Sequence, residues 1–448
     1  MTWLTLKQAA RMVGGELRGA DAAFERISTD TRAPAANALF FALKGPRFDA
    51  HEVLDAQTGL ALAGAVVERT VNHPAPALLV EDTRLALGRF AGAVREGFAG
   101  SAIGVTGSNG KTTVKQMLAA ILARQAPTLA TEGNLNNDIG VPLTLARLRE
   151  KHRYAVIEMG ANHPGEIEYL ASLARPDVAI ITNAGAAHLE GFGDRAGVAR
   201  AKAEIISGLT DSGAAIINRD DVFADDWLAL NRDRRVLTFG ASTEADVRIE
   251  GDEPLVLSVG GRRWEVPLAL PGRHNAMNAA AATAACLALD LDMADIVAGL
   301  ARVEPVSGRL QFLAGVNGST LIDDTYNANP DSVAAAIALL ASRSGKRYLA
   351  LGDLAELGSD AEARHAALGE LARNAGIEAL LTVGELAGAA SEAFGSGGEH
   401  FDSAEALAAA LKSRLAPGQI VLVKGSRAAR MERVVDALTQ DREARHAV

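Results

Sequence analysis

The stretch best equipped for chemistry is Gly104-Val-Thr-Gly-Ser-Asn-Gly-Lys-Thr-Thr113. A short apolar run, Ala102-Ile103, leads into it, and Val114-Lys-Gln-Met-Leu-Ala-Ala-Ile-Leu122 follows with apolar residues at helical spacing. Strand, glycine turn and helix form the context that a phosphate-binding loop needs. The glycines let backbone N–H groups close around phosphate oxygens, and the helix N-terminus adds partial positive charge. Lys111 would reach the β- and γ-phosphates, and the Thr112 hydroxyl would hold Mg2+. The general pattern asks for glycine five residues before Gly110, where this chain has Val105, and Gly107 stands three residues before instead. The stretch reads as a nucleotide site.

In open parallel sheets, ligands sit outside the carboxyl ends of the strands. That rule selects further residues. Glu158 directly follows the apolar run Ala155-Val-Ile157, where a nucleotide-binding sheet presents a carboxylate for Mg2+. His188 follows the next run by a few residues; Mg2+ prefers oxygen, so the imidazole fits that ion less well. The loop Thr131-Glu-Gly-Asn-Leu-Asn-Asn-Asp-Ile-Gly-Val-Pro142 offers Asn134, Asn136 and Asn137 to carbonyl or phosphate oxygens, although such loops also satisfy themselves. Further on, Asp323-Asp-Thr-Tyr-Asn-Ala-Asn-Pro330, Gly352-Asp-Leu-Ala-Glu-Leu-Gly358 and Lys424-Gly-Ser-Arg427 each follow a strand-like run. Three polar loops at three strand ends make a binding edge carrying Tyr326, Asn327, Asn329, Asp353, Glu356, Lys424, Ser426 and Arg427. Near the N-terminus, Ile27-Ser-Thr-Asp-Thr-Arg32 and Lys44-Gly-Pro-Arg-Phe-Asp-Ala-His51 bring hydroxyls together with Lys44, Arg47 and His51. These groups suit a phosphorylated ligand through charge-assisted hydrogen bonds, and taken alone they also fit plain solvated side chains.

The elements that must position these groups alternate along the chain. At 448 residues the protein should hold two or three domains, and 48% hydrophobic residues are ample for folded cores. Aromatics are only 4%, so those cores should be aliphatic and rich in helix. A formal charge of −10 opposes binding to nucleic acid or anionic lipid. No basic-then-apolar leader opens the chain, and no apolar run reaches the ~20 residues of a bilayer span, so a soluble cytoplasmic protein is expected. The single cysteine, Cys286, lies in an Ala-rich helical run and reads as a small packed residue.

Residues 1–82 read as a small α/β unit with a helix over 4–13 and strands near 38–43, 65–67 and 77–80. A helix over 83–98 then feeds the strand before the phosphate loop, and strands and helices alternate to about 307. Short apolar runs at 154–157, 178–181, 214–217 and 236–239 have the pattern of buried parallel strands, followed by a β excursion over 244–268 and a helix over 274–289. A third unit, 308–448, carries strand candidates at 320–322, 348–351, 379–383 and 420–423, a second parallel sheet of dinucleotide-fold size. The expected fold is α/β in three domains: a small N-terminal one, a central phosphate-loop domain over 83–307 and a C-terminal Rossmann-like one, joined by short hinges.

Together these motifs resemble the Mur ligase family over nearly the whole chain. Thr106-Gly-Ser-Asn-Gly-Lys-Thr-Thr113, Gly133-Asn-Leu-Asn-Asn-Asp-Ile-Gly-Val-Pro142, Glu158-Met-Gly-Ala-Asn162 and Ala187-His-Leu-Glu-Gly-Phe-Gly193 are similar to its central-domain signatures. The third-unit motifs resemble the subgroup that joins D-alanyl-D-alanine to UDP-N-acetylmuramoyl-tripeptide, and the Asp-Asn-Pro-Arg motif of the diaminopimelate-adding ligases is missing. The resemblance implies that Lys111 and residues Gly107, Ser108, Asn109, Gly110, Thr112 and Thr113 hold the ATP phosphates. It implies one Mg2+ on Thr112 and Glu158 and a second helped by His188. Lys202, by itself a solvated helix lysine, matches the lysine that the family carbamylates into a metal-binding carboxylate. Asn275 and Asn278 match the adenine side, and Arg309 and Asp324 match the third domain's reach to the nucleotide. Ser28, Thr31, Arg32 and the 44–51 loop match the uridine-diphosphate site, while Asn136, Asn137, Asn162 and His163 would line the muramoyl-peptide channel.

The implied reaction is an ATP-driven amide ligation through an acyl phosphate, performed by a monomer without a covalent protein nucleophile. Positioning and charge neutralisation would be the protein's work. Two other readings compete. A folylpolyglutamate synthase-like ligase has no use for a first domain with a uridine-diphosphate site. A switch or motor ATPase would turn over ATP without an acceptor.

Overall fold

The computed structural model describes residues 4–32, 36–186 and 188–440; Ala187, the first residue of one motif above, and the last eight residues of the third unit lie outside them. The chain builds three α/β units. In the first, a five-stranded sheet runs in the spatial order Glu16–Arg18, Ala77–Leu79, Gly64–Val67, Ala38–Phe41, Arg26–Ser28. Only the edge strand Glu16–Arg18 is antiparallel to its neighbour. The helix Leu6–Val13 begins where Thr5 and Gln8 form a reciprocal capping box, and it stops at Gly14, whose φ of 70° few other residues adopt.

The helix Thr83–Glu96 belongs to two cores at once. Asp82 caps it by accepting hydrogen bonds from the N–H groups of Arg84 and Leu85. Its Ala86, Leu87 and Phe90 are buried among Phe24, Phe41 and Val66 of the first unit, with the Phe90 ring 6.2 Å from that of Phe24 and 5.9 Å from that of Phe41. Ala91 faces the central core instead. At its C-terminal end Arg95 is buried and donates to the carbonyls of Ala174 (2.8 Å), Phe98 (3.3 Å) and Arg175 (2.8 Å), and to Asp177 (3.0 Å). A helix clamped into both units leaves no free linker between them.

The central sheet has nine strands in the order Thr128–Ala130, Tyr154–Glu158, Ser101–Thr106, Val178–Ile181, Ala214–Asn218, Arg235–Gly240, Val247–Asp252, Leu255–Val259, Arg262–Val266. The first seven are parallel, and the last three form an antiparallel meander, the β excursion expected from the sequence. Strands buried on both faces read as continuous Val, Ile and Ala runs, which is why the sequence exposed them. The phosphate-loop helix, Lys111–Leu122, packs on this sheet beside the alanine-rich helix Arg273–Ala288. Helix Met293–Leu300 comes so close to it that a Cβ on Gly299 would lie 2.5 Å from the Ile121 Cα. Cys286 is fully buried here, and burial pushes its thiol pKa up, as expected for a packing residue.

The third unit is a six-stranded sheet in the order Gln311–Ala314, Thr320–Asp324, Ile420–Lys424, Arg347–Gly352, Ala379–Val383, Gly398–Phe401, parallel except for its first edge strand. The three-domain α/β architecture is as the sequence implied. The strands Thr128–Ala130, Gln311–Ala314 and Gly398–Phe401 go beyond what the sequence pattern predicts. All three are short and lie at or near sheet edges, where burial is incomplete and the apolar signal is weak. Replacing Arg95 by Met should destabilise the protein by about 2–4 kcal/mol, because buried carbonyls and Asp177 lose their donor. Urea unfolding monitored by circular dichroism will measure it.

Candidate active site

The phosphate loop leaves the strand Ser101–Thr106 and turns through two glycines that nothing else could replace. Gly107 has φ 142°, and a Cβ there would sit 1.9 Å from the Thr182 hydroxyl oxygen; Gly110 has φ 83° and would meet the Asn278 side-chain oxygen at 2.2 Å. The next strand end holds the loop's shape. Asn183 accepts at its side-chain oxygen from the Asn109 N–H (3.0 Å), and Thr182 donates its hydroxyl to the Asn109 carbonyl (2.6 Å). Lys111 folds over its own loop, donating to the carbonyls of Gly107 (2.6 Å) and Ser108 (3.1 Å). Burial pushes the Lys111 pKa down, Glu158 opposes that shift, and Arg309 adds to it.

Glu158 ends its strand with the side chain buried at 2% exposure. Its carboxylate oxygens lie 3.1 and 3.0 Å from the Thr112 hydroxyl, and one of them accepts from the Asn136 side-chain amide at 2.9 Å. The Thr131 hydroxyl accepts the Glu158 N–H at 3.0 Å. From the third domain, Arg309 donates to the same Thr112 oxygen at 3.0 Å while its guanidinium stacks on Tyr326 at 4.0 Å. Among the described residues, no three His, Cys, Asp or Glu side chains converge on one point. A hydroxyl and a carboxylate side by side, with few further protein ligands, are the donor set of an Mg2+ completed by nucleotide phosphates and water. The residues present therefore fit that ion.

Two expected groups sit differently from their sequence reading. Lys202 is not a solvated helix lysine: it is 1% exposed, its ammonium lies 5.1 Å from the centre of the Phe192 ring, and burial together with the nearby Lys111 lowers its pKa to about 7 against the opposing pull of Glu204 and Glu166. His188 crosses to the third domain, where its Nδ1 pairs with the Glu356 carboxylate. Burial lowers the imidazole pKa, Glu356 opposes, and Lys111 and Lys202 reinforce the lowering.

Beside the phosphate loop, Asn275 and Asn278 are buried, the first donating to the Pro271 carbonyl at 2.9 Å and the second to the Asn275 side-chain oxygen at 3.3 Å. Asn275, Arg309 and Thr113 share a narrow cavity with Gln116, Leu270, Val303, Glu304 and Val306. In the third domain, Lys424 is buried with its ammonium 2.5 Å from Asp324 and 3.0 Å from the Asn327 carbonyl. Burial raises the Asp324 carboxyl pKa while Lys424 and Arg309 oppose. Asn329 caps the helix Pro330–Ala341 and exchanges side-chain hydrogen bonds with Asn109 of the phosphate loop (2.8 and 3.4 Å). Asp331 accepts from the Ala186 N–H at 2.7 Å. Both edges meet at one cleft.

Several of the other candidates take part in the fold's own hydrogen bonds, and others stand exposed. His51 is 1% exposed, with Nδ1 bound to Asp49 (2.6 Å) and Nε2 accepting from the Glu68 N–H (2.9 Å), so it is a structural histidine and not a phosphate ligand. Asp353 uses its carboxylate to cap the N–H groups of Glu385, Leu386 and Ala387, and the Asn137 side-chain oxygen accepts from Gly140 and Ile139. The Ser426 N–H donates to the Asp353 carbonyl, and the Arg427 N–H to the Asn327 side chain (3.3 Å). In the first domain Ser28 ends its strand, Thr31 precedes Arg32, which pairs with Asp30, and Lys44 and Arg47 stand exposed on a small hairpin loop. The Asn162 N–H donates to Glu166, whose other oxygen lies 3.1 Å from the His163 ring.

Residues 105–286 match the Mur ligase middle domain, and residues 308–427 match the Mur ligase glutamate ligase domain. The UDP-N-acetylmuramoyl-tripeptide–D-alanyl-D-alanine ligase of Escherichia coli (strain K12) is 45% identical over 98% of this chain and 99% of its own length. The chain belongs to the Mur ligase family. Among solved structures, MurF from Acinetobacter baumannii superposes on this Mur ligase with a TM-score of 0.92 at 37% identity, covering 97% of this chain and 98% of that one. The MurF ligase from Thermotoga maritima in complex with ADP gives 0.83 at 30% identity, covering 94% and 98%.

One buried group of this Mur ligase escaped the sequence reading. Lys115, one turn beyond Lys111, lies 3.3 Å from the Glu158 carboxylate. A signal was present: on a helix the position flanks the stripe of Leu118 and Leu122, so a lysine there points partly inward. Lys111→Ala should lower turnover by at least about 100-fold, since a donor aimed at transition-state charge is removed. Steady-state phosphate release will check it.

Proposed function

We propose that the protein joins D-alanyl-D-alanine to UDP-N-acetylmuramoyl-tripeptide at the expense of ATP, giving the pentapeptide precursor of peptidoglycan. The observation that carries this reading is the meeting of two sheet edges at Thr112, where Glu158 from the central domain and Arg309 from the third converge. A cleft with phosphate machinery on one wall and a polar binding edge on the other suits a reaction that activates one substrate and presents it to a second. The 45% identical relative bears the name of this activity.

In this reading the tripeptide's terminal carboxylate attacks the γ-phosphorus of ATP, and ADP leaves. The amine of the dipeptide then attacks the acyl-phosphate carbon, loses a proton, and expels inorganic phosphate. Lys111 and the loop amides of Gly107–Thr113 neutralise the phosphates, and Arg309 approaches from the opposite wall. Thr112 and Glu158 would hold Mg2+, which supplies charge neutralisation at the phosphate oxygens. His188 lies at the third-domain side of that corner. Asn275 and Asn278 line the adenine side, and Asp324, held by Lys424, faces the nucleotide with Arg309.

Thr31, Arg32, Lys44 and Arg47, without His51, would receive the uridine diphosphate, and Asn136, Asn162 and His163 would line the way to the centre. For the incoming dipeptide, a cavity of about 210 Å³ lined by Ser307, Gly308, Thr325, Tyr326, Arg427, Glu432 and Asp436 offers a cation for its carboxylate. The domains over 1–82, 83–307 and 308–448 then carry the uridine nucleotide, ATP and the dipeptide, with the helix Thr83–Glu96 as a rigid joint. In this reading the enzyme acts as a monomer in the cytoplasm, and no helix among the described residues is long and apolar enough to cross a membrane.

Lys202 is the residue we assign to carbamate formation. With its pKa lowered to about 7, much of the side chain is unprotonated amine at neutral pH, the form that attacks CO2. A carboxylate made there would stand near Lys111, whose charge already depresses the amine.

Purified protein with Mg-ATP, UDP-N-acetylmuramoyl-tripeptide and D-alanyl-D-alanine should release phosphate and yield a pentapeptide by mass, and omission of any one substrate should stop both. Phosphate release without the dipeptide would favour an ATPase or another amine. Lys202→Ala should lose at least about 100-fold in turnover, without rescue by bicarbonate, if the group stabilises developing charge. The wild type should show a 13C carbamate resonance after labelling with 13C-bicarbonate that the variant lacks; an unaffected rate with no such resonance would remove the assignment.

A further inference from the structure

Lys115 is a buried lysine that the reaction outlined above leaves without a task. It is 1% exposed on the helix Lys111–Leu122, with its ammonium 3.3 Å from Glu158 Oε2 and 3.3 Å from the Gly133 carbonyl oxygen. Glu158 is 2% exposed, so this pair is shut away from water on both sides. Arg309 also acts here, donating at 3.0 Å to the Thr112 hydroxyl that lies 3.0 Å from Glu158, and Lys111 precedes Thr112 on the same loop. One carboxylate thus stands against the Lys115 ammonium with the Arg309 guanidinium one hydroxyl away. A divalent cation arriving alone meets a net positive corner. A nucleotide triphosphate reverses the sign of that field and can bring the ion with it.

We propose that Lys115 is a positioning residue, the resident counter-cation of Glu158, which keeps the carboxylate turned to Thr112 and reserves it for a divalent ion that comes with nucleotide. The inference rests on the nucleotide-ligase reading given above. Lysine suits the task because its ammonium is a compact charge with three donors, enough to serve a carboxylate and a carbonyl together. Through the Gly133 carbonyl the same ammonium anchors the start of the asparagine loop, and Asn136 returns from that loop to the other oxygen of Glu158 at 2.9 Å. Nucleotide-side metal and peptide-side loop therefore share one buried ion pair.

The test is a Mn2+ titration of the full chain followed by the electron paramagnetic resonance of free Mn2+, with circular dichroism as the folding control. Without nucleotide the wild type should bind Mn2+ no tighter than about 1 mM, and Lys115→Met should tighten this at least roughly tenfold, as expected when a close like charge is removed. Adding Glu158→Gln to Lys115→Met should abolish the gain. Loss of a merely structural contact would weaken metal binding and could not strengthen it. A wild-type Kd below about 0.1 mM without nucleotide overturns the proposal, as does an unchanged affinity in a folded Lys115→Met, since either leaves no charge barrier to remove. Should that variant not fold, Lys115→Gln replaces it, and the wild-type titration decides by itself if neither folds. Pentapeptide formation by the wild type is scored separately, so an intact ligase with tight nucleotide-free Mn2+ binding refutes only the role given to Lys115.

Discussion

The site depends on keeping one carboxylate, Glu158, in a place that water can hardly reach. Such a group survives only if protein partners replace its hydration. Thr112 and Lys115 supply this from the phosphate-loop helix and Asn136 from the asparagine loop, while Thr131 secures the Glu158 backbone. Each partner lies on a different turn or segment, so satisfying a single side chain fixes the phosphate loop against the peptide side of the cleft. The Thr112 hydroxyl then passes the constraint to Arg309 of the third domain.

The same low exposure that makes Glu158 demanding makes nearby lysines adjustable. Lys111 and Lys202 both have their charged forms disfavoured by burial, with Glu158 opposing the shift at Lys111 and Glu204 and Glu166 opposing it at Lys202. Glu204 and Glu166 act on Lys202 too weakly to offset its burial and the neighbouring Lys111. Lys111 is also tied to its own loop, donating to the Gly107 and Ser108 carbonyls, whereas the Lys202 ammonium lies over the Phe192 ring. Two residues of identical type thus stand in different surroundings, one among the carbonyls of the phosphate loop and the other against an aromatic ring.

Much of this architecture was legible in the sequence, for a physical reason. Parallel strands buried on both faces must be continuous apolar runs, so Val178–Ile181 and Ala379–Val383 could be read to the residue. The loops at their carboxyl ends declared themselves through glycines and polar residues that a buried strand would exclude. What stayed hidden was the state of individual polar side chains. His51 looked like a ligand and is a structural hydrogen-bond bridge; Lys202 looked solvated and is buried; Lys115 drew no notice and holds the central carboxylate. Whether a charge is buried depends on chain segments far away in sequence, as Glu158 is from Lys115, and no local pattern records that distance. The helix Thr83–Glu96 shows the same limit for domains: its periodicity gives the helix, but not that Phe90 and Arg95 anchor it in different units.

The contact between central and third domains is polar at the site, and this bears on how the cleft works. Asn109 meets Asn329, the Ala186 N–H meets Asp331, Thr112 meets Arg309, and His188 meets Glu356. Groups of this kind exchange readily with water, so parting them exposes no large apolar surface, whereas parting a hydrophobic interface would. Several are also already committed to their own domain: Asn329 caps its helix, and Arg309 stacks on Tyr326. Should the domains part, these groups would keep their orientation and need little reordering on return. A cleft built this way can admit large substrates and close over a water-sensitive acyl phosphate at small cost, because the closing contacts are preorganised on each wall.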